Sequence, residues 1–161
     1  ILLSNNAGGF PHFDIGTLKQ IDLNYIGGFE FRWLWGALEE SDFFDTDDRN
    51  NYAWFSGMYM AIEPSLVPGL NVGFNYQYYK PLTNWDGFDL IRSIPFLDLS
   101  NSAVDLKDMM VSFTFSWLFP SVGFELYGEW ARNDNFAGTD DLFNSPEHTQ
   151  AYSLGLNQVI Y

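Results

Sequence analysis

The chain has 161 residues, a formal net charge of −14 at pH 7, no cysteine, and an aromatic content of 19%. Such acidity, with only seven Lys and Arg, argues against nucleic acid as a partner. The absence of cysteine excludes disulfides and thiolate chemistry without identifying a compartment. No run approaches the ~18 apolar residues of a membrane helix, but a membrane barrel built of strands signals by alternation rather than by bulk hydropathy.

Residues 1–23 read as irregular. Ser4 to Pro11 is rich in turn formers, and His12 to Thr17 hold no sustained period. From Tyr25 to Leu38 the chain alternates, with Tyr25, Phe29, Phe31, Trp33 and Trp35 on one face and Glu30 and Arg32 on the other, which is the period-two pattern of a strand. A polar acidic loop, Glu39 to Arg49, follows. Tyr52 to Ile62 reads as a second strand whose two parities both mix aromatic and small residues. After a short turn with Pro64 and Pro68, the third strand places Leu70, Val72, Phe74, Tyr76 and Tyr78 opposite Asn71, Gly73, Asn75 and Gln77.

A long connection from Pro81 to about Asp105 leads to the clearest pattern in the chain, Met109 to Arg132. In its first run Met109, Val111, Phe113, Phe115 and Trp117 oppose Ser112, Thr114 and Ser116. In its second, Val122, Phe124, Leu126 and Trp130 oppose Gly123, Glu125, Tyr127 and Glu129. The corner at Leu118–Ser121 makes the two runs a hairpin. A polar loop, Asn133 to His148, precedes a weaker sixth strand from Thr149 to Tyr161, with Tyr152, Leu154, Leu156 and Ile160 on one side.

The expectation is therefore an all-β chain of about six strands between residues 24 and 161, within a single domain. Its connections run long, short, long, short, long, so every short turn falls on one edge of the sheet and every long loop on the other. Outer-membrane barrels have this asymmetry. Span length agrees: Lys107 to Trp117 is ten positions at ~3.3 Å each, which with a tilt of about 40° covers roughly 25 Å, the height of the apolar band. Lys107 and Arg132 would then snorkel at the loop-side interface, and Trp117 would sit in the turn-side girdle. The polar parity, Glu30, Arg32, Asn75, Gln77, Glu125, Tyr127 and Glu129, would line a wet lumen, with Glu30 and Arg32 in ion pairs to neighbouring strands. The competing reading is a soluble β-sandwich or lipocalin-like barrel with the aromatics as core. Six strands do not close a barrel, for which eight is the usual minimum. The chain also opens without a methionine or signal peptide and stops in mid-pattern, so it reads as part of a larger, many-stranded antiparallel transmembrane β-barrel.

Particular words in the sequence add to this. Leu3 to His12 (LSNNAGGFPH) resembles a segment of the Wzi-type capsule assembly proteins of Gram-negative outer membranes. So do Trp35 to Ser41 (WGALEES) paired with Asn75 to Leu82 (NYQYYKPL), then Trp117–Leu118–Phe119–Pro120, Gly123 to Trp130 (GFELYGEW) and Pro146 to Tyr152 (PEHTQAY). The resemblance implies a large outer-membrane barrel that holds capsular polysaccharide at the cell surface by lectin-like binding, without catalysis. Its implied surroundings are outer-membrane lipid, lipopolysaccharide and other outer-membrane proteins. A porin-like diffusion channel is the alternative, and a soluble carbohydrate-active β-sandwich a further one.

No catalytic constellation emerges. Glu125 and Glu129 lie four apart on one strand face, ~13 Å from each other, beyond the separations used by glycosidases. Asp45 to Asn50 (DTDDRN), within the acidic loop 42–50, has clustered carboxylates like a calcium loop but lacks the Gly and distal Glu of an EF-hand, and Arg49 stands at a ligand position. His12 and His148 have no partner ligand at transition-metal spacing. Neither a nucleophile elbow nor a phosphate-binding glycine loop occurs, so no metal or other cofactor is expected. For a sugar, an aromatic platform beside carboxylates or amides is the relevant pattern. Trp85 and Asp86 in the longest loop fit it, as do Arg132, Asp134 and His148 at the rim, although an exposed loop tryptophan more often packs against its own loop.

Overall fold

The computed structural model describes residues 9–40, 51–94, 107–133 and 149–159. They form an antiparallel sheet of β1 (His12–Gly16), β2 (Ile21–Asp22), β3 (Gly27–Glu39), β4 (Tyr52–Pro64), β5 (Leu70–Pro81), β6 (Asp108–Phe119), β7 (Phe124–Asn133) and β8 (Gln150–Gln158). Spatial order follows chain order, β1-β3-β4-β5-β6-β7-β8, with β2 paired beside β3. The sheet is not closed; among the described residues β1 pairs only with β3, and β8 only with β7. Among the described residues no second sheet packs on it, so the facing sheets of a sandwich are not the arrangement of these strands. A four-residue helix, α1 (Asp89–Arg92), follows a 3₁₀ turn at Leu82–Asn84.

The all-β class and the six main strands agree with the alternation. Two expectations need correction. Residues 12–16 and 21–22, read as irregular, are strands that pair with β3, from His12 opposite Gly36 to Asp22 opposite Gly28. The thirteen-residue β3 offers an unpaired edge on which a segment too short to show its own period can lie. Tyr25 and Val122, placed on strand faces, instead sit exposed in turns. The hairpin corner is a 3₁₀ turn at Pro120–Val122, ended by Gly123 at φ 62°, and Gly69 at φ 79° ends the 65–69 turn in the same way. Both stand where only glycine enters the left-handed region without strain.

Register assigns the faces. Phe31, Met60, Phe74, Phe113, Trp130 and Tyr152 lie in one row across the sheet. The row towards the turn edge is Phe29, Ile62, Val72, Phe115, Gly128 and Leu154. Every strand from β3 to β8 thus turns most of its bulky apolar residues to one side. Register orients β4: Trp54, Met58, Met60 and Ile62 join the apolar face, and Ala53, Phe55, Gly57, Tyr59 and Ala61 lie opposite. The polar-face row through Arg32 reads Tyr59, Asn75, Ser112 and Ala131. Short turns at 23–26, 65–69 and 120–123 share one edge of the sheet, and the connections 40–51, 82–107 and 134–149 leave from the other.

Candidate functional site

Near the loop edge the apolar face is not bare. After β5 the chain turns back across it, and Asp89 on α1 reaches the strand. Its carboxylate accepts a 3.0 Å hydrogen bond from the Tyr78 hydroxyl and pairs with Lys80 Nζ at 3.4 Å. The pair is desolvated, with side-chain exposures of 4% for Lys80 and 0% for Asp89. Asp89 also accepts from the backbone N–H of Asp86 at 2.8 Å, while Asp86 itself accepts from the N–H of Phe88 at 2.8 Å. Ser93, one turn on from Asp89, is buried as well, so positions 89 and 93 mark the helix face turned to the sheet. Trp85 stacks at an angle on Trp54, ring centroids 5.5 Å apart.

This cover joins the buried cluster Met58, Tyr76, Tyr78, Met109 and Val111, on which Phe31, Trp33, Trp54, Met60, Phe74 and Trp130 pack. Two polar groups inside find partners, Trp33 Nε1 donating to Ser56 Oγ at 2.9 Å and the Tyr76 hydroxyl to Met109 Sδ at 3.0 Å, whereas Trp54 Nε1 is buried without one among the described residues. Towards the turn edge nothing among the described residues covers the same face. Tyr78 has no exposed surface, whereas Phe113, on the neighbouring strand and the same side, is 48% exposed.

The expected sugar-binding set is only partly brought together. Trp85 and Asp86 share the segment after β5, on the apolar side, where Trp85 packs against Trp54 and Asp86 shapes the approach to α1. Arg132 lies on the apolar face of β7, in register with Val111 and Gln150. Its snorkelling role is corrected: the residue is 6% exposed, within the covered part of the face rather than extended into solvent. Asp134, His148 and the acidic loop 42–50 lie outside the described residues. Lys80 and Asp89 were missed, although Lys80 is a lone cation on an otherwise apolar parity and Asp89 stands within Phe88–Ile91.

The seven polar residues assigned to a lumen do share one face. Arg32 pairs with Asp14 of β1 at 3.3 Å, with both side chains partly exposed. Asn75 Nδ2 donates to Ser112 Oγ at 2.9 Å. Glu125 accepts from Ser116 Oγ at 2.6 Å and from Asn157 Nδ2 at 3.0 Å, while Glu129 occupies another row, opposite Thr114 and Ser153. These are cross-strand partnerships of a polar surface and bring no acid–base pair together. Among the described residues, no three His, Asp or Glu side chains gather as metal ligands, and no helix is long and apolar enough to cross a membrane, which leaves crossing by strands untouched.

Comparison with protein-family models, curated proteins and solved structures returns no match.

Proposed function

We propose that this chain is a wall segment of an outer-membrane β-barrel of the capsule-assembly type, which holds capsular polysaccharide at the Gram-negative cell surface without catalysis. The observation that carries the membrane part is the sidedness of the sheet. Most bulky apolar residues of β3 to β8 lie on one face, most polar and small residues on the other, with Leu34, Phe55, Tyr59, Met110 and Leu118 among the bulky exceptions, and the long connections leave from one edge. A lipid-facing wall over a wet lumen requires this alternation, with short turns on the periplasmic side and long loops outside. On this reading Glu30, Arg32, Asn75, Gln77, Glu125, Tyr127 and Glu129 line the lumen. Trp85, Asp86 and Arg132, with Asp134 and His148, belong to the outward end. The polysaccharide part rests on the sequence resemblance.

The test is retention of purified capsular polysaccharide by the detergent-folded protein, measured beside its conductance in planar bilayers. Glycan retained with little conductance is the expected result. Steady conductance without retention replaces it with a porin-like channel, for which the polar face would be the lining. A protein that stays folded and monomeric in buffer without detergent overturns both.

A further inference from the structure

The bare part of the apolar face is too short for the membrane it would cross. On the apolar face of β6, Met109 and Val111 are buried, Phe113 is exposed, and Phe115, Trp117 and Phe119 are half-buried with no cover among the described residues. Six positions at ~3.3 Å, tilted by about 40°, cover roughly 15 Å, against an apolar band of about 25 Å. The missing height lies at the loop edge, where the segment 82–94 lies against β4 and β5. That segment turns Asp89 and Ser93 inward and leaves Phe88, Leu90 and Ile91 exposed by 68%, 44% and 56% on its outer side. Trp85, exposed beside them, packs on Trp54. The one inward carboxylate is neutralised by Lys80. An outward-facing apolar cluster on the same side of the sheet thus continues the aromatic face where the strands themselves are hidden.

Resting on the membrane-barrel reading, we infer that Trp85, Phe88, Leu90 and Ile91 form an interfacial lipid contact, replacing the strand surface as the apolar band over its loop-side part. The occupant is the acyl–headgroup boundary of the outer leaflet. Short apolar segments with an aromatic anchor settle at that depth. Here Asp89 is turned away and paired, and the exposed Asp86, which accepts from the N–H of Phe88, falls at the headgroup side of the boundary.

The chain has no cysteine, so single spin labels at Ile91→Cys, Phe88→Cys and Phe113→Cys report separately on the intact protein in phosphatidylcholine vesicles. The expected result is a Phe113 label reached by oxygen and shielded from a water-soluble nickel chelate. The labels at 88 and 91 should likewise favour oxygen, but at a shallower depth. A lipid-exposed label at 113 with labels at 88 and 91 open to the nickel chelate overturns the inference and leaves the barrel reading standing. A label at 113 open to the chelate overturns both. Two positions on the segment guard against one substitution disturbing the packing of α1.

Discussion

Tyr78 and Phe113 sit on adjacent strands and the same side of the sheet, yet one is wholly buried and the other is half open. The difference is what lies over them. At the loop edge, the chain folds back and builds a small protein core around a desolvated ion pair. Towards the turn edge, the same aromatic surface has no cover among the described residues. An apolar stripe on a strand says that a side chain leaves water; it does not say whether protein or lipid receives it. Each region has its own signature: a core admits paired charges and hydrogen-bonded polar atoms, as at Lys80, Asp89 and Ser56, whereas the bare rows hold aromatic and aliphatic side chains and glycine.

The sharpest way to break the comparison is to remove the ion pair. Asp89→Ala leaves the Lys80 ammonium and the Tyr78 hydroxyl without the carboxylate that both contact. Breaking a buried pair on one side costs about 3–5 kcal/mol, whereas replacing both partners with apolar residues is often neutral. Urea titration in lipid vesicles should show the loss for Asp89→Ala and recovery of most of it in the double variant Lys80→Met/Asp89→Leu. Proteolysis within 82–94 should rise in the first and fall back in the second. Equal stability of Asp89→Ala and the parent protein would mean that the pair does not hold α1 on the sheet.

The bare region is tested by Phe113→Lys. A lysine at the middle of a lipid-facing band costs about 2–4 kcal/mol and should block assembly into membranes. Were the face turned to water, the same exposed position would fall within the ±0.5 kcal/mol or so of ordinary surface substitutions. Folding yield into phosphatidylcholine vesicles separates the two. A variant that assembles like the parent removes lipid from that face.

Much of this division was legible in alternation, and the rest was hidden for identifiable reasons. The parities of β3, β5, β6, β7 and β8 read correctly because side chains on a strand change face at every residue. β4 did not, since Phe55 and Tyr59 put aromatics on its polar face, and register with two neighbours was needed to orient it. β1 spans five residues and takes its conformation from the edge of β3. The cover over Tyr78 was the larger miss. Lys80 could be seen as out of place on its parity, but its partner lies nine residues on, in a helix of four residues. No period connects them. Arg132 was expected to snorkel at the loop-side interface, and strand patterning gives no sign that it is buried.

The smallest effect tests the other face. Ser112 has no exposed surface, and its hydroxyl accepts from the Asn75 side chain in the row between Tyr59 and Ala131. Removing it by Ser112→Ala takes one neutral hydrogen bond, a net loss of ~0.5–1.5 kcal/mol, and leaves the Asn75 amide to find another partner. A wet lumen supplies that partner as water, which holds the cost to the lower half of the range. A face packed dry against other protein supplies none, and the cost then rises towards the ~1–3 kcal/mol of an unsatisfied buried donor. Urea midpoints of Ser112→Ala, Asn75→Ala and the double variant, compared at unchanged slope, measure this directly. A near-zero coupling would show the bond to be freely exchanged with water, and so the polar face to be wet.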